Sequence, residues 1–362
     1  MGGRPGAGNG PVTMAGFANH TVSEKRVPVS VFKNAIVFRI EPAWSQALEE
    51  AEQGLQGLSF VPCSASQEKS VGWVPPRGEE NGPLIESIDG QWVLEFMVET
   101  KTLPGSVVRR KVDERAAQIE ATTGRKPGKK ERKELKEDIT QELLPMAFTR
   151  HARISIWVDR EARRLVVNAT NIARADEVVS SLVQALAGFA VAPIHTAMEP
   201  AAAMSGWLHS QEPPPGFSID RECELKATDD SKAVVRYAKH PLDIEEVRAH
   251  IEAGKRPTRL AMTWEDRVSF ELTEGMQVRK IAFLEGTDEA VAGGKSEDDF
   301  DADVAIATGE LGQLLPALLE ALGGEQAIGS AAGVPIAAPA AATPVPGSAD
   351  GAARPEEEEA PF

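Results

Sequence analysis

Apolar residues along this chain fall into short runs rich in β-branched and aromatic types, until the spacing changes after Pro104. The segment VFKNAIVFRI (31–40) reads as a strand, PAWSQALEEAEQGLQG (42–57) as a helix opened by Pro42 and closed by glycine, and QWVLEFMVET (91–100) as another strand. Beyond Pro104, Val108, Val112, Ala116 and Ile119 recur at helical spacing. TTGRKPGKK (122–130) then breaks the helix, and Leu135, Ile139 and Leu143 line one face of the next. Strand, helix, turn, helix, strand describes a helical hairpin projecting from a sheet. With about 16 residues per helix it would extend roughly 25 Å.

The sheet resumes with ARISIWVD (152–159) and RLVVNAT (164–170), and ADEVVSSLVQALAGF (175–189) follows as a helix. A Pro-rich break, SQEPPPGFS (210–218), marks a boundary near residue 212. Past it come strands AVVRYAKH, TRLAMTW, RVSFELT and VRKIAFL, the helix DIEEVRAHIEAG, and a final helix in FDADVAIATGELGQLLPALLEALGGE. The expected fold class is α+β, with mixed sheets and the projecting hairpin. The expected division is a disordered N-terminal extension (1–29), a central α+β domain (30–104 and 150–211), the basic arm or tip (105–149), a second α+β domain or base (212–326), and a disordered acidic Ala/Pro-rich tail (327–362).

Charge sharpens this picture once it is divided along the 362 residues. The formal net charge is -16, but Glu285–Phe362 holds sixteen Asp or Glu against Lys295 and Arg354, so the acidity belongs to that end. Gly105–Arg153 holds thirteen basic and eight acidic residues, which makes the hairpin a positive island. Seven Lys or Arg stand between Arg125 and Lys136. Helical geometry puts Lys129, Arg132, Lys133 and Lys136 on a face beside the apolar stripe, with Arg109, Arg110 and Lys111 near the root of the first helix. Such a surface is either a solvated helix face or a meeting place for a polyanion. Arg236, Lys239, Lys255, Arg256 and Arg259 form a further basic set in the second half.

Signals of catalysis are weak. GAGNG (6–10) lacks a preceding strand and a completing GK[ST]. His20, His151, His195, His209, His240 and His250 are scattered and form no metal-binding spacing. DDFDAD (298–303) lacks the glycine and final glutamate of a calcium loop and suits the opening of the last helix. No GxSxG or nucleophilic cysteine motif is present. The expectation is therefore no enzyme, no cofactor and no metal. Cys63 and Cys223 read as buried or half-buried thiols of a reducing compartment. With no signal-like start and no long apolar run, the expected location is cytoplasmic, with no membrane association.

Several stretches in order carry a resemblance: FKNAIVFRI, FVPC (60–63), GWVPP (72–76), LLPMAF (143–148), HIEAGK (250–255), FDADVAIATGEL and LLEALGGE. Together they resemble the bacterial recombination-associated protein RdgC family, from about Val31 to Glu325. The resemblance implies a ring-shaped homodimer with a positively charged hole, which encircles double-stranded and in some cases single-stranded DNA without sequence preference. It also implies a nucleoid-associated regulator that restrains RecA-dependent recombination.

In that setting the candidate phosphate contacts are Arg109, Arg110, Lys111, Arg125, Lys126, Lys129, Lys130, Arg132, Lys133, Lys136 and Lys239, and Phe148 is the candidate dimer contact. The alternative is a protein–protein adaptor in DNA repair or replication acting through the acidic tail. Its last seven residues, EEEEAPF, resemble the acidic tip of bacterial single-stranded DNA-binding proteins, which implies a partner-binding tip at Phe362.

Overall fold

A computed structural model describes residues 32–284 and 297–326. The expected N-terminal extension and the tail, including Phe362, lie outside the described residues. Within them the chain is mixed α and β, with seven α-helices and two antiparallel sheets. No described helix is long and apolar enough to cross a membrane.

The first sheet contains β1 (Ile36–Ile40), β2 (Lys69–Val74), β3 (Ile85–Ile88), β4 (Gln91–Thr102), β5 (Phe148–Asp159), β6 (Arg164–Val167) and β7 (Val191–Pro193). Its order is β2-β4-β5-β6-β1-β7, with β3 also paired to β4. The second sheet, ordered β12-β11-β10-β8-β9, uses β8 (Phe217–Ala227), β9 (Val234–Tyr237), β10 (Lys255–Trp264), β11 (Val268–Thr273) and β12 (Val278–Phe283).

Alternation along β4 assigns its two faces. Trp92, Leu94, Phe96 and Val98 join a core with α1 (Leu48–Gln56) and α4 (Ile172–Ala185). Those helices approach so closely that a Cβ on Gly54 would fall 2.1 Å from the Ala185 carbonyl oxygen. Trp157 and Val166 face the other way. They share a second core with Leu311, Leu314 and Leu318 of α7 (Glu297–Ala321) and with Leu260, Met262 and Phe270 of the second sheet. Ala35 and Val278 exchange two backbone hydrogen bonds, of 2.7 and 3.0 Å, tying the residue just before β1 to β12.

The structure differs from the sequence reading at particular elements. The first helix begins at Leu48, not at Pro42. The carbonyls of Glu41, Pro42 and Trp44 accept from the Arg163 guanidinium, so they do not open a helical ladder. Strand β8 was not expected, because Asp220, Glu222, Glu224 and Lys226 dilute its apolar positions. Cross-strand cations neutralise two of those carboxylates: Lys280 lies 3.1 Å from Glu222, and both Arg236 and Arg259 engage Glu224. Also unforeseen were β2, β3, β7, and α5 (Pro200–Ser210), whose Ala201, Ala203, Met204 and Leu208 are buried.

Trp157 joins the first sheet to the second core. It is fully buried, its ring lies 6.5 Å from that of Phe32, and its Nε1–H donates to Gln91 Oε1 at 2.7 Å. Trp157→Ala is expected to cost roughly 3–5 kcal/mol in chemical denaturation, from the cavity and the orphaned amide. A loss below about 1 kcal/mol would remove Trp157 from this role.

Candidate nucleic-acid interface

The positive segment is an insertion between β4 and β5. Helix α2 (Gly105–Thr123) starts just after β4, and α3 (Lys129–Leu143) returns through one 3-10 turn, Leu144–Met146, to Phe148 at the head of β5. Gly124 ends α2 in the left-handed conformation (φ 72°), where a side chain would be strained. The two helices share a small core of their own: Val108 and Val112 pack with Ile139 and Leu143, and Leu103 and Val107 pack at its edge. Ala116 is also buried, while Ile119 and Leu135 are half-buried.

Most cations of this segment already face a carboxylate. Arg110 lies 3.7 Å from Glu114, Lys111 and Arg115 lie 3.9 and 3.6 Å from Glu142, and Arg125 lies 3.0 Å from Glu131. Lys126 reaches Glu120 at 3.8 Å, Lys130 reaches Glu134 at 3.9 Å, and Lys133 reaches Glu137 at 3.6 Å. Arg132 pairs with Asp113 across the two helices. All these groups are solvent-accessible, so each pair contributes about 0–1 kcal/mol and can exchange for another anion.

Arg109, Lys129 and Lys136 make no ion pair among the described residues. Lys129, Arg132 and Lys136 stand at i, i+3 and i+7, one face of α3. Arg109, Arg132 and Lys136 line a groove of about 510 Å³ between the helices with Leu103, Gly105, Val108, Val112 and Thr140. Arg109 and Lys136 thus share one groove with Arg132, while Lys129 stands at the start of α3, away from that groove. That selection is invisible in the sequence, where all eleven cations of the segment look alike.

The remaining expected residues separate. Lys239 is exposed beyond the end of β9, on the second sheet, with a left-handed backbone (φ 54°). Arg236 and Arg259 belong to an ionic network with Glu224, Glu271 and Lys280. Burial opposes ionisation of Glu224, but hydrogen bonds from Thr258, Arg236 and Arg259 outweigh it and hold the carboxyl at about 2. Those two arginines are therefore committed to folding the sheet. Lys255 lies 3.0 Å from His250, and Arg256 lies 4.0 Å from Glu199.

Phe148 is 87% exposed, close in sequence to Met146 at 71%, so both side chains stand largely clear of the other described residues.

A second polar constellation was missed in sequence. On the β4 face opposite Trp92 and Phe96, Glu95 and Glu99 meet Arg153, Ser155 and His151 of β5. Its signal was the period-two placement of Glu95, Glu99 and Lys101 within an otherwise apolar strand. Glu99 accepts from the Cys63 backbone N–H and lies 3.2 Å from His151 Nε2, and these contacts lower its carboxyl pKa. The Cys63 thiol is pushed up by burial and by Glu99, which disfavours a thiolate nucleophile. Cys223 is buried and pushed up to about 12. Asp298–Asp303 fall within the first turns of α7, and Asp301 pairs with Arg77 at 2.6 Å. No cluster of three or more His, Cys, Asp or Glu that could hold a metal is found among the described residues.

Comparison with known proteins adds the family. A protein-family model described as "Putative exonuclease, RdgC" matches residues 31–325. The chain is 44% identical to the recombination-associated protein RdgC of Dechloromonas aromatica over 299 residues, 81% of this chain and 98% of that protein. It is 44% identical over 297 residues to that of Cupriavidus necator, and 40% identical over 299 residues to that of Bordetella pertussis. Each of these alignments covers 82% of this chain and 99% of the relative.

Burial raises the Glu95 carboxyl to about 7, against the opposing pull of Arg153 and Ser155. The folded chain therefore keeps a proton that the unfolded chain releases near 4.5, so stability falls as pH rises from about 4.5 to 7 and then levels. Glu95→Gln should remove this fall, which is on the order of 3 kcal/mol. Denaturation midpoints at pH 5 and pH 8 check it, and an unchanged pH dependence in the variant would refute the assignment.

Proposed function

The chain belongs to the RdgC family, a recombination-associated family, and on that premise we propose that it is a non-sequence-specific DNA-binding protein. The observation that carries this reading is the placement of Arg109, Arg132 and Lys136 in one groove of the exposed α2–α3 segment, with Lys129 on the same face of α3 and with Arg109, Lys129 and Lys136 making no ion pair among the described residues. Flexible cations on a helix face suit phosphate oxygens, which position a protein on DNA without reading bases.

In this reading α2 and α3 form the projecting hairpin, an arm or tip spanning 105–149. Residues 30–104 with 150–211 make the central body, and 212–326 the base. Two copies close into a ring around the duplex, with Phe148 meeting its counterpart and Lys239 adding to the positive lining. Coating DNA in this way restrains RecA-dependent strand exchange on the nucleoid. The paired cations Arg110, Lys111, Arg125, Lys126, Lys130 and Lys133 contribute after exchanging their carboxylates for phosphate. The adaptor alternative, with Phe362 at its tip, rests on residues outside those described.

Two measurements test the proposal. Replacing Arg109, Lys129, Arg132 and Lys136 by Ala should weaken retention of labelled duplex equally for unrelated sequences. It should also reduce the salt slope by up to roughly 0.9 per lost phosphate contact. Replacing Arg110, Lys130 and Lys133 instead should change the slope less. An unchanged slope in the first variant, or steady cleavage of the duplex by the parent, would overturn the reading. Phe148→Ala should leave the circular dichroism spectrum intact while weakening self-association by about 2 kcal/mol. Identical light scattering and DNA affinity would remove Phe148 from the subunit contact.

A further inference from the structure

Phosphate contact leaves one feature of the α2–α3 groove without a role: its apolar floor. Leu103, Val108 and Val112 form that floor, and Arg109, Arg132 and Lys136 rim it. A DNA backbone needs the rim but gains nothing from aliphatic carbon. No aromatic ring lines the groove, so it offers no stacking platform for an unpaired base. The volume, about 510 Å³, falls in the range of sites that enclose a ligand group. Two of the three rim cations have no carboxylate partner among the described residues, and the third holds only the exposed Asp113.

We propose that this groove binds an acidic peptide segment of a partner protein, one that carries a hydrophobic side chain next to its carboxylates. The carboxylates engage Arg109, Arg132 and Lys136 through charge-assisted hydrogen bonds, with the Arg132 guanidinium exchanging Asp113 for the incoming group. The hydrophobic side chain packs on half-buried Leu103, in front of Val108 and Val112, which are already buried against Ile139 and Leu143. Charge complementarity selects the partner's sign, and the floor selects peptide over nucleic acid.

The test uses a fluorescein-labelled synthetic peptide, EEEEAPF, a sequence that stands at Glu356–Phe362 of this chain, titrated with the full protein and read by anisotropy. Saturable binding is expected. It should weaken roughly tenfold for the combined Arg109→Ala and Lys136→Ala variant, as for two lost surface charge contacts. The peptides EEEEAPA and QQQQAPF, which leave the protein unaltered, should each bind more weakly than the parent peptide. No binding of EEEEAPF would overturn the proposal, as would equal binding of either altered peptide or an unaffected double variant. Labelled duplex is measured alongside. Duplex retained without peptide binding sinks this inference alone, whereas peptide binding without duplex retention sinks the DNA-binding reading alone.

Discussion

The antiparallel ladder between β4 and β5 is the constraint on which the other features depend. It runs from the Trp92–Val158 pair to the Thr102–Phe148 pair without a register shift. At one end its side chains enter the two cores, through Trp92 on one face and Trp157 on the other. At the other end it fixes where α2 leaves and where the chain returns from α3. The groove between those helices exists because the ladder sets the spacing of their roots and the contact of Val108 and Val112 with Ile139 and Leu143 sets their faces.

Charge is handled differently at the two ends of the molecule's polar surface. In the second sheet Glu271 is buried and Glu224 nearly so, and Arg259 and Lys280 close on them at short range. Removing one member there would leave a buried charge uncompensated, so these ions belong to the fold. On α2 and α3 the pairs are open to water and their geometry is loose, commonly 3.6–3.9 Å. Solvent screening makes such pairs weak and exchangeable, which is what an interface for an anionic partner requires.

The family description carries the word exonuclease, while the curated relatives carry the name recombination-associated protein. The polar cluster of Cys63, Glu99 and His151 is where nucleophile chemistry would be sought first. There Glu99 accepts from the Cys63 backbone N–H and lies beside His151 Nε2, contacts that tie the Cys63 loop to β4 and β5.

The sequence by itself determined the α+β class, the helices that follow β4 and their apolar stripe, because period and turn residues are local properties. Val108, Val112, Ile139 and Leu143 were legible as one face each, and their burial follows directly. It also determined where positive charge accumulates. Only the tertiary structure decided which cations remain unpaired, since Arg132 meets Asp113 nineteen positions away and Arg39 meets Glu325 across nearly the whole chain. It alone revealed β8, whose charged residues become strand-compatible once Arg236, Arg259 and Lys280 stand opposite them. The same holds for Glu95, whose raised pKa reflects burial by a face that no local pattern specifies. Pairing and desolvation depend on residues distant in sequence, and that is why they become readable only after folding.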